Sequence, residues 1–84
     1  MDTKYYGKDK IACNSLLLKL GAACQNFRID HGYTQREIAF DTGYTKELIS
    51  AFERGLNNNA FVFFWYVKHG FDVVAFMEKY RGEI

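Results

Sequence analysis

Side chains able to do chemistry are few in this sequence and widely spaced. Cys13 and Cys24 stand eleven residues apart, and no CxxC pair occurs. His31 and His69 are isolated, each beside a glycine where a helical pattern ends. A cation at such a place suits the helix dipole, so structural roles are favoured for both. Metal sites draw on close-spaced cysteines and histidines, and this spacing is wrong for one. A nucleophile needs a base within reach, and no Cys–His or Ser–His–Asp arrangement rises above composition. The expectation is a non-enzyme with no catalytic residue, no metal and no cofactor. Eleven residues make about three helical turns, so both cysteines fit one helix face as small apolar side chains. What remains is the polar content of TQREIAFDTGYTKELISAFERG, Thr34 to Gly55, where Lys46 and Glu47 open the second half.

The elements that carry these groups are punctuated by glycine, because the chain has no proline. Glycines at 32, 43, 55, 70 and 82 divide it into short blocks, the cadence of helices closed by C-terminal glycines. Asn14 or Ser15 is a good N-cap, which predicts a first helix from there to about His31. Leu16, Leu20, Cys24 and Phe27 give it one apolar stripe. Gly21 lies inside that helix and costs roughly 1 kcal/mol against alanine, a cost that closely approaching backbone would justify. Thr34 and Glu37 have the spacing of a capping box, with Ile38 and Ala39 facing inward and Gly43 closing the helix at positive φ. Thr45 caps the next helix, whose apolar face is Leu48, Ile49 and Phe52, and Gly55 with the asparagines stops it. The block AFVFFWYVKHG satisfies local rules for a buried strand, but a lone strand has nothing to pair with. It is read as a helix from Ala60 to about Lys68, apolar all round and covered on both sides. Asp72 caps a last helix with Val73, Phe76, Met77 and Tyr80 on one face and Lys79 and Arg81 at its end.

Eighty-four residues make one domain, and one this small buries only about 60% of the surface its unfolded chain exposes. Apolar residues are 49% and aromatics 18%, which excludes disorder. No apolar run reaches the ~20 residues of a membrane span, and the N-terminus lacks the apolar stretch of a signal peptide. The reading is a reduced, cytoplasmic protein without a membrane partner. Residues 1–15 form an extension with Lys4, Lys8 and Lys10, either a disordered arm following phosphate or a frayed end, and residues 16–84 form the domain. Residues 34–59 set Arg36, Lys46 and Arg54 against Glu37, Asp41, Glu47 and Glu53. That is a thin electrostatic footprint for nucleic acid.

Counting from Gln35, Ile38 and Ala39 fall at the fourth and fifth places, Gly43 at the ninth, Ile49 at the fifteenth and Phe52 at the eighteenth. Two helices crossing over a tight turn need a small residue at the crossing, a glycine at the bend and apolar anchors beneath. With these residues, and with LG at Leu20, FR at Phe27 and KHGF near the end, the chain resembles the Cro/CI-type (XRE) helix-turn-helix family from Leu20 to Met77. The resemblance implies an all-α fold: a five-helix lambda-repressor-like DNA-binding domain with its helix-turn-helix at about residues 35–54. It implies Gln35–Thr42 as the positioning helix and Lys46–Arg54 as the recognition helix entering the major groove. Base-facing positions are then Lys46, Glu47 and Ser50, with Ala51 at the rim. Gln35 at a helix N-terminus would hold a phosphate, with Arg36, Tyr44, Thr45, Arg54, Asn57, Asn58 and Asn59 as further DNA-binding positions. Arg28 and Glu53 fall where the family carries a partly buried ion pair, and Ala39, Gly43 and Ile49 at structural places.

An all-round apolar helix cannot bury every side in a chain this short, so the aromatic block serves either as core alone or as core with a homodimer surface. Phe61, Phe64, Trp65, Phe76 and Tyr80 are the residues expected at that surface. Two functions follow from the resemblance and the composition. One is a sequence-specific DNA-binding transcriptional regulator: a small repressor or Cro-like switch of a phage or other mobile element, binding double-stranded DNA as a homodimer. The other is a protein-interaction module, antitoxin-like or an inhibitor, that keeps the fold and binds a protein partner.

Overall fold

A computed structural model describes residues 3–83, with side chains from residue 12 to residue 82. Among these residues five α-helices run in the order α1 (Thr3–Asp30), α2 (Gln35–Thr42), α3 (Lys46–Glu53), α4 (Ala60–Lys68) and α5 (Val73–Tyr80), followed by a 3-10 turn at Arg81–Glu83. No strand occurs among the described residues, so the fold is all-α. The aromatic block is helical from Ala60 to Lys68, as tertiary reasoning against local propensity required.

The first helix corrects the expected start. It spans 28 residues from Thr3, and Asn14 and Ser15 lie exposed within it rather than capping it. A good N-cap residue ends nothing by itself. Its interior helical cost is a few tenths of a kcal/mol, and no proline upstream forces a break. The lysines of the expected arm stand on this helix, and their side chains lie outside the described ones.

Farther along, α1 carries the predicted stripe: Cys24 is fully buried, with Leu20 and Phe27 packed on the same core. Gly21 is where α1 crosses the end of α3. A Cβ there would sit 2.6 Å from the Phe52 carbonyl oxygen and 2.7 Å from that of Glu53. Backbone therefore meets backbone, which explains a glycine inside a helix.

Helices α2 and α3 are joined through Gly43, Tyr44 and Thr45. The capping box at Thr34 is complete: its hydroxyl accepts from the Glu37 N–H at 3.0 Å, and its own N–H donates to Glu37 Oε1 at 3.1 Å. Gly43 adopts φ 79°, and its N–H closes on the Ala39 carbonyl at 2.9 Å. Thr45 caps α3 by accepting from the Leu48 N–H at 3.2 Å. Ile38, Ile49 and Phe52 are buried beneath this pair, joined in one core by Cys24, Val62, Trp65 and Tyr66. Each such side chain, fully buried, contributes roughly 1.5–3 kcal/mol of transfer free energy.

The expectation that α4 is covered on both sides is corrected. It buries Val62, Trp65 and Tyr66 but leaves Phe61 68% and Phe64 59% exposed. The other helices pack against one side of α4, and none of the described residues covers Phe61 and Phe64 on the other. Asn59, read from sequence as a helix stop, is also the N-cap of α4, accepting from the Val62 N–H at 3.0 Å. Asp72 caps α5 as expected, and Phe76 is its buried residue. Among the described residues no single helix is long and apolar enough to cross a membrane.

Candidate nucleic-acid interface

The front of α3 projects from the α2–α3 pair. Lys46 and Glu47 are exposed, and Ser50 and Ala51 are half-buried. Gln35, Lys46, Glu47, Ser50 and Arg54 line one shallow depression of about 260 Å³. A second depression of about 450 Å³ adjoins it, lined by Arg28, Thr34, Gln35, Arg36 and Lys46. Arg36 and Lys46 enter no ion pair among the described residues. The N–H groups of Gln35 and Arg36, in the first turn of α2, likewise have no acceptor among the described residues. Two free cations beside two free N–H groups suit a phosphate oxygen.

What holds this front in place is a buried carboxylate. Glu53, 3% exposed at the end of α3, receives Arg28 Nε–H at 2.7 Å and Arg28 Nη2–H at 3.1 Å. Gln35 donates from Nε2 at 2.9 Å, and the Tyr66 hydroxyl donates at 2.5 Å. Each carboxylate oxygen thus accepts two donors, one from each of two different side chains. Four helices meet here: Arg28 from α1, Gln35 from α2, Glu53 from α3 and Tyr66 from α4. Arg28 also donates from Nη1 to the Tyr33 carbonyl at 3.0 Å.

These contacts move protonation equilibria in consistent directions. The hydrogen bond to Glu53 holds the Arg28 guanidinium above its ordinary range, against the opposing effect of burial. Burial, then the bond to Glu53, holds the Tyr66 phenol well above the usual tyrosine value. Burial, then the nearby Glu53 charge, pushes the Cys24 thiol up to about 12. A thiol that stays protonated is a poor nucleophile and a poor metal ligand. No group of three histidine, cysteine, aspartate or glutamate side chains gathers among the described residues.

The expected Arg28–Glu53 pair is present, and Ile49, Ala39 and Gly43 occupy the expected packing and turn positions. The DNA-contact candidates divide. Gln35 turns one amide N–H inward to Glu53 at 2.9 Å. Thr45 uses its hydroxyl as a cap, and Tyr44 packs against the core. Asn57 donates to the Leu48 carbonyl at 3.3 Å and accepts from the Asn59 N–H at 3.1 Å, while Asn59 caps α4. Of the three asparagines, Asn58 alone keeps an exposed, uncommitted side chain. Arg54 is exposed and donates from Nε to the Ser50 carbonyl at 3.4 Å.

Compared with family models, curated proteins and solved structures, the chain matches none significantly.

The residues expected at a homodimer surface divide too. Trp65 and Phe76 are 5% and 7% exposed and belong to the chain's own interior, which corrects their placement. Trp65 stacks on His69 with ring centres 3.9 Å apart, meets Tyr33 edge-on, and donates its indole N–H to Asp41 at 2.9 Å. Phe76 packs against Tyr80, itself half-buried under the Lys19 ammonium. Phe61 and Phe64 remain exposed. Sequence reasoning missed the Tyr66 hydroxyl, because an aromatic in an apolar run reads as core, and nothing local pairs it with Glu53.

Proposed function

We propose that the chain is a sequence-specific DNA-binding transcriptional regulator with a lambda-repressor-like, helix-turn-helix domain. In this reading it is a small repressor or Cro-like switch that acts as a homodimer. The observation that carries it is the polar front of α3, Lys46, Glu47 and Ser50, raised beside α2 and locked from behind by the four-donor carboxylate of Glu53. Lys46 has the chemistry to donate to guanine O6 and N7, and Glu47 to accept from the cytosine amino group. Arg36 and the first turn of α2 supply phosphate contacts. The near-neutral charge makes a single copy a weak binder, and two copies spanning half-sites about 34 Å apart gather enough contacts.

A mobility shift on the DNA upstream of its own coding sequence tests this. Retardation that weakens steeply with salt, and that Lys46→Ala abolishes on the specific site, supports the reading. Absence of retardation even at low salt refutes it.

A specific observation favours one second reading. Phe40 on α2 is 87% exposed, and Leu56 just beyond α3 is 65% exposed. Apolar side chains held out beside the reader helix suit a protein partner better than a phosphate backbone. A protein-interaction module on the same fold, antitoxin-like or inhibitory, would form a stable complex that Phe40→Ser disrupts, with no effect of DNA.

A further inference from the structure

A hollow of about 600 Å³ opens between the end of α2 and α4. Tyr44, Trp65, Phe61 and Phe64 all contribute to its lining, and the two phenylalanines are its exposed aromatic walls. Asp41 and Lys68, both exposed, line it as well. Asp41 accepts the Trp65 indole N–H through Oδ2 at 2.9 Å, and its Oδ1 is uncommitted among the described residues. Neither Asp41 nor Lys68 enters an ion pair among the described residues.

A two-fold interface brings one patch against its own copy, so the patch must hold both a projection and a recess, and both signs of charge. This patch has all four. The phenylalanines project, the hollow recedes, and Asp41 and Lys68 carry opposite charges. Aromatic side chains are also those enriched in the cores of such interfaces. The indole bond already fixes Asp41, so little side-chain freedom is lost when it meets a cation. No residue lining this hollow lines the depression at the front of α3.

We propose that this face docks a second copy of the chain across a two-fold axis, Phe61 and Phe64 of each copy covering the other's hollow and Asp41 of each pairing with Lys68 of the other. The inference deepens the homodimer of the DNA-binding reading and rests on that reading for its purpose. Its test needs no DNA. Sedimentation of the full chain from low to high micromolar concentration is expected to show a monomer passing to a dimer. Phe64→Glu, at an exposed position, keeps its far-UV helical spectrum and weakens association by roughly tenfold or more. Asp41→Lys and Lys68→Asp each put like charges together in their own dimers and are expected to be monomeric. An equimolar mixture of those two variants sets opposite charges at both contacts and restores the dimer.

A wild-type chain that stays monomeric at high micromolar concentration overturns the inference. So does a dimer indifferent to Phe64→Glu, or a mixture that stays monomeric while both variants keep their helical spectra. Phe64→Glu leaves the indole bond to Asp41 untouched, so it decides the matter even where Asp41→Lys unfolds. A wild-type dimer that Phe64→Glu dissociates but that retards no DNA supports this face and sinks the DNA reading. Retarded DNA from a chain monomeric in solution does the reverse.

Discussion

Replacing Arg28 with leucine removes two of the four donors to Glu53 and leaves the carboxylate in place. Glu53 is 3% exposed, so water cannot substitute for the lost guanidinium without opening the junction of α1 and α3. Stranding one partner of a buried pair costs about 3–5 kcal/mol, against about 0–1 kcal/mol for a surface pair. A domain of this size has roughly 4–13 kcal/mol of total stability at the usual per-residue value, so the loss takes a large share of it. Tyr66→Phe removes one donor and no charge, and should cost about 1–3 kcal/mol. The two residues share Oε2 of Glu53, so their effects are expected to be non-additive by at least about 0.5 kcal/mol. Urea unfolding followed by far-UV circular dichroism of the wild type, the two single variants and the double variant measures these costs. An Arg28→Leu cost under about 1 kcal/mol, or strict additivity with Tyr66→Phe, would refute the view of Glu53 as a buried junction of four helices.

Other outcomes follow from the same structure. Gly21→Ala should destabilise by at least about 1–3 kcal/mol despite alanine's better helix propensity, because its Cβ meets two α3 carbonyls; a raised melting temperature would contradict the close approach. Asn59→Ala should cost about 1 kcal/mol by uncapping α4, and an unchanged urea midpoint would show that the cap contributes nothing. Stability should fall between about pH 9 and pH 12. The unfolded Cys24 thiol, at its ordinary value of 9.0, releases its proton there while the folded thiol keeps it to about 12, a slope of about 1.4 kcal/mol per pH unit for this one group. Cys24→Ala should flatten that decline in urea titrations run across the range, and an equally steep fall in the variant would assign it elsewhere.

Much of the fold was legible in the sequence because its punctuation is local. Thr34 with Glu37, Gly43, Thr45 and Asp72 each act within one turn of chain, and each holds the expected place. The start of α1 was not legible, since an N-cap residue marks a boundary only where something upstream refuses the helix. The lack of any strand to pair with argued for α4 as a helix, but did not tell which of its apolar side chains would be left outside. That depends on how much layer the rest of the chain can supply. At the candidate interface, Lys46 and Glu47 are exposed. The inward turn of Gln35, the capping work of Asn59 and the Tyr66–Glu53 bond do not show in sequence, because each depends on groups the fold brings together from other elements.

Fluorescence anisotropy of labelled DNA from upstream of the chain's own coding sequence, against a scrambled duplex of equal length, tests the central claim most directly. Saturable binding to the native sequence is expected, with weaker binding to the scrambled one and a steep fall with added salt. Lys46→Ala is expected to narrow the gap between the two duplexes. Equal affinity for both sequences, or no binding at low salt by a chain that is folded and dimeric, would contradict that claim.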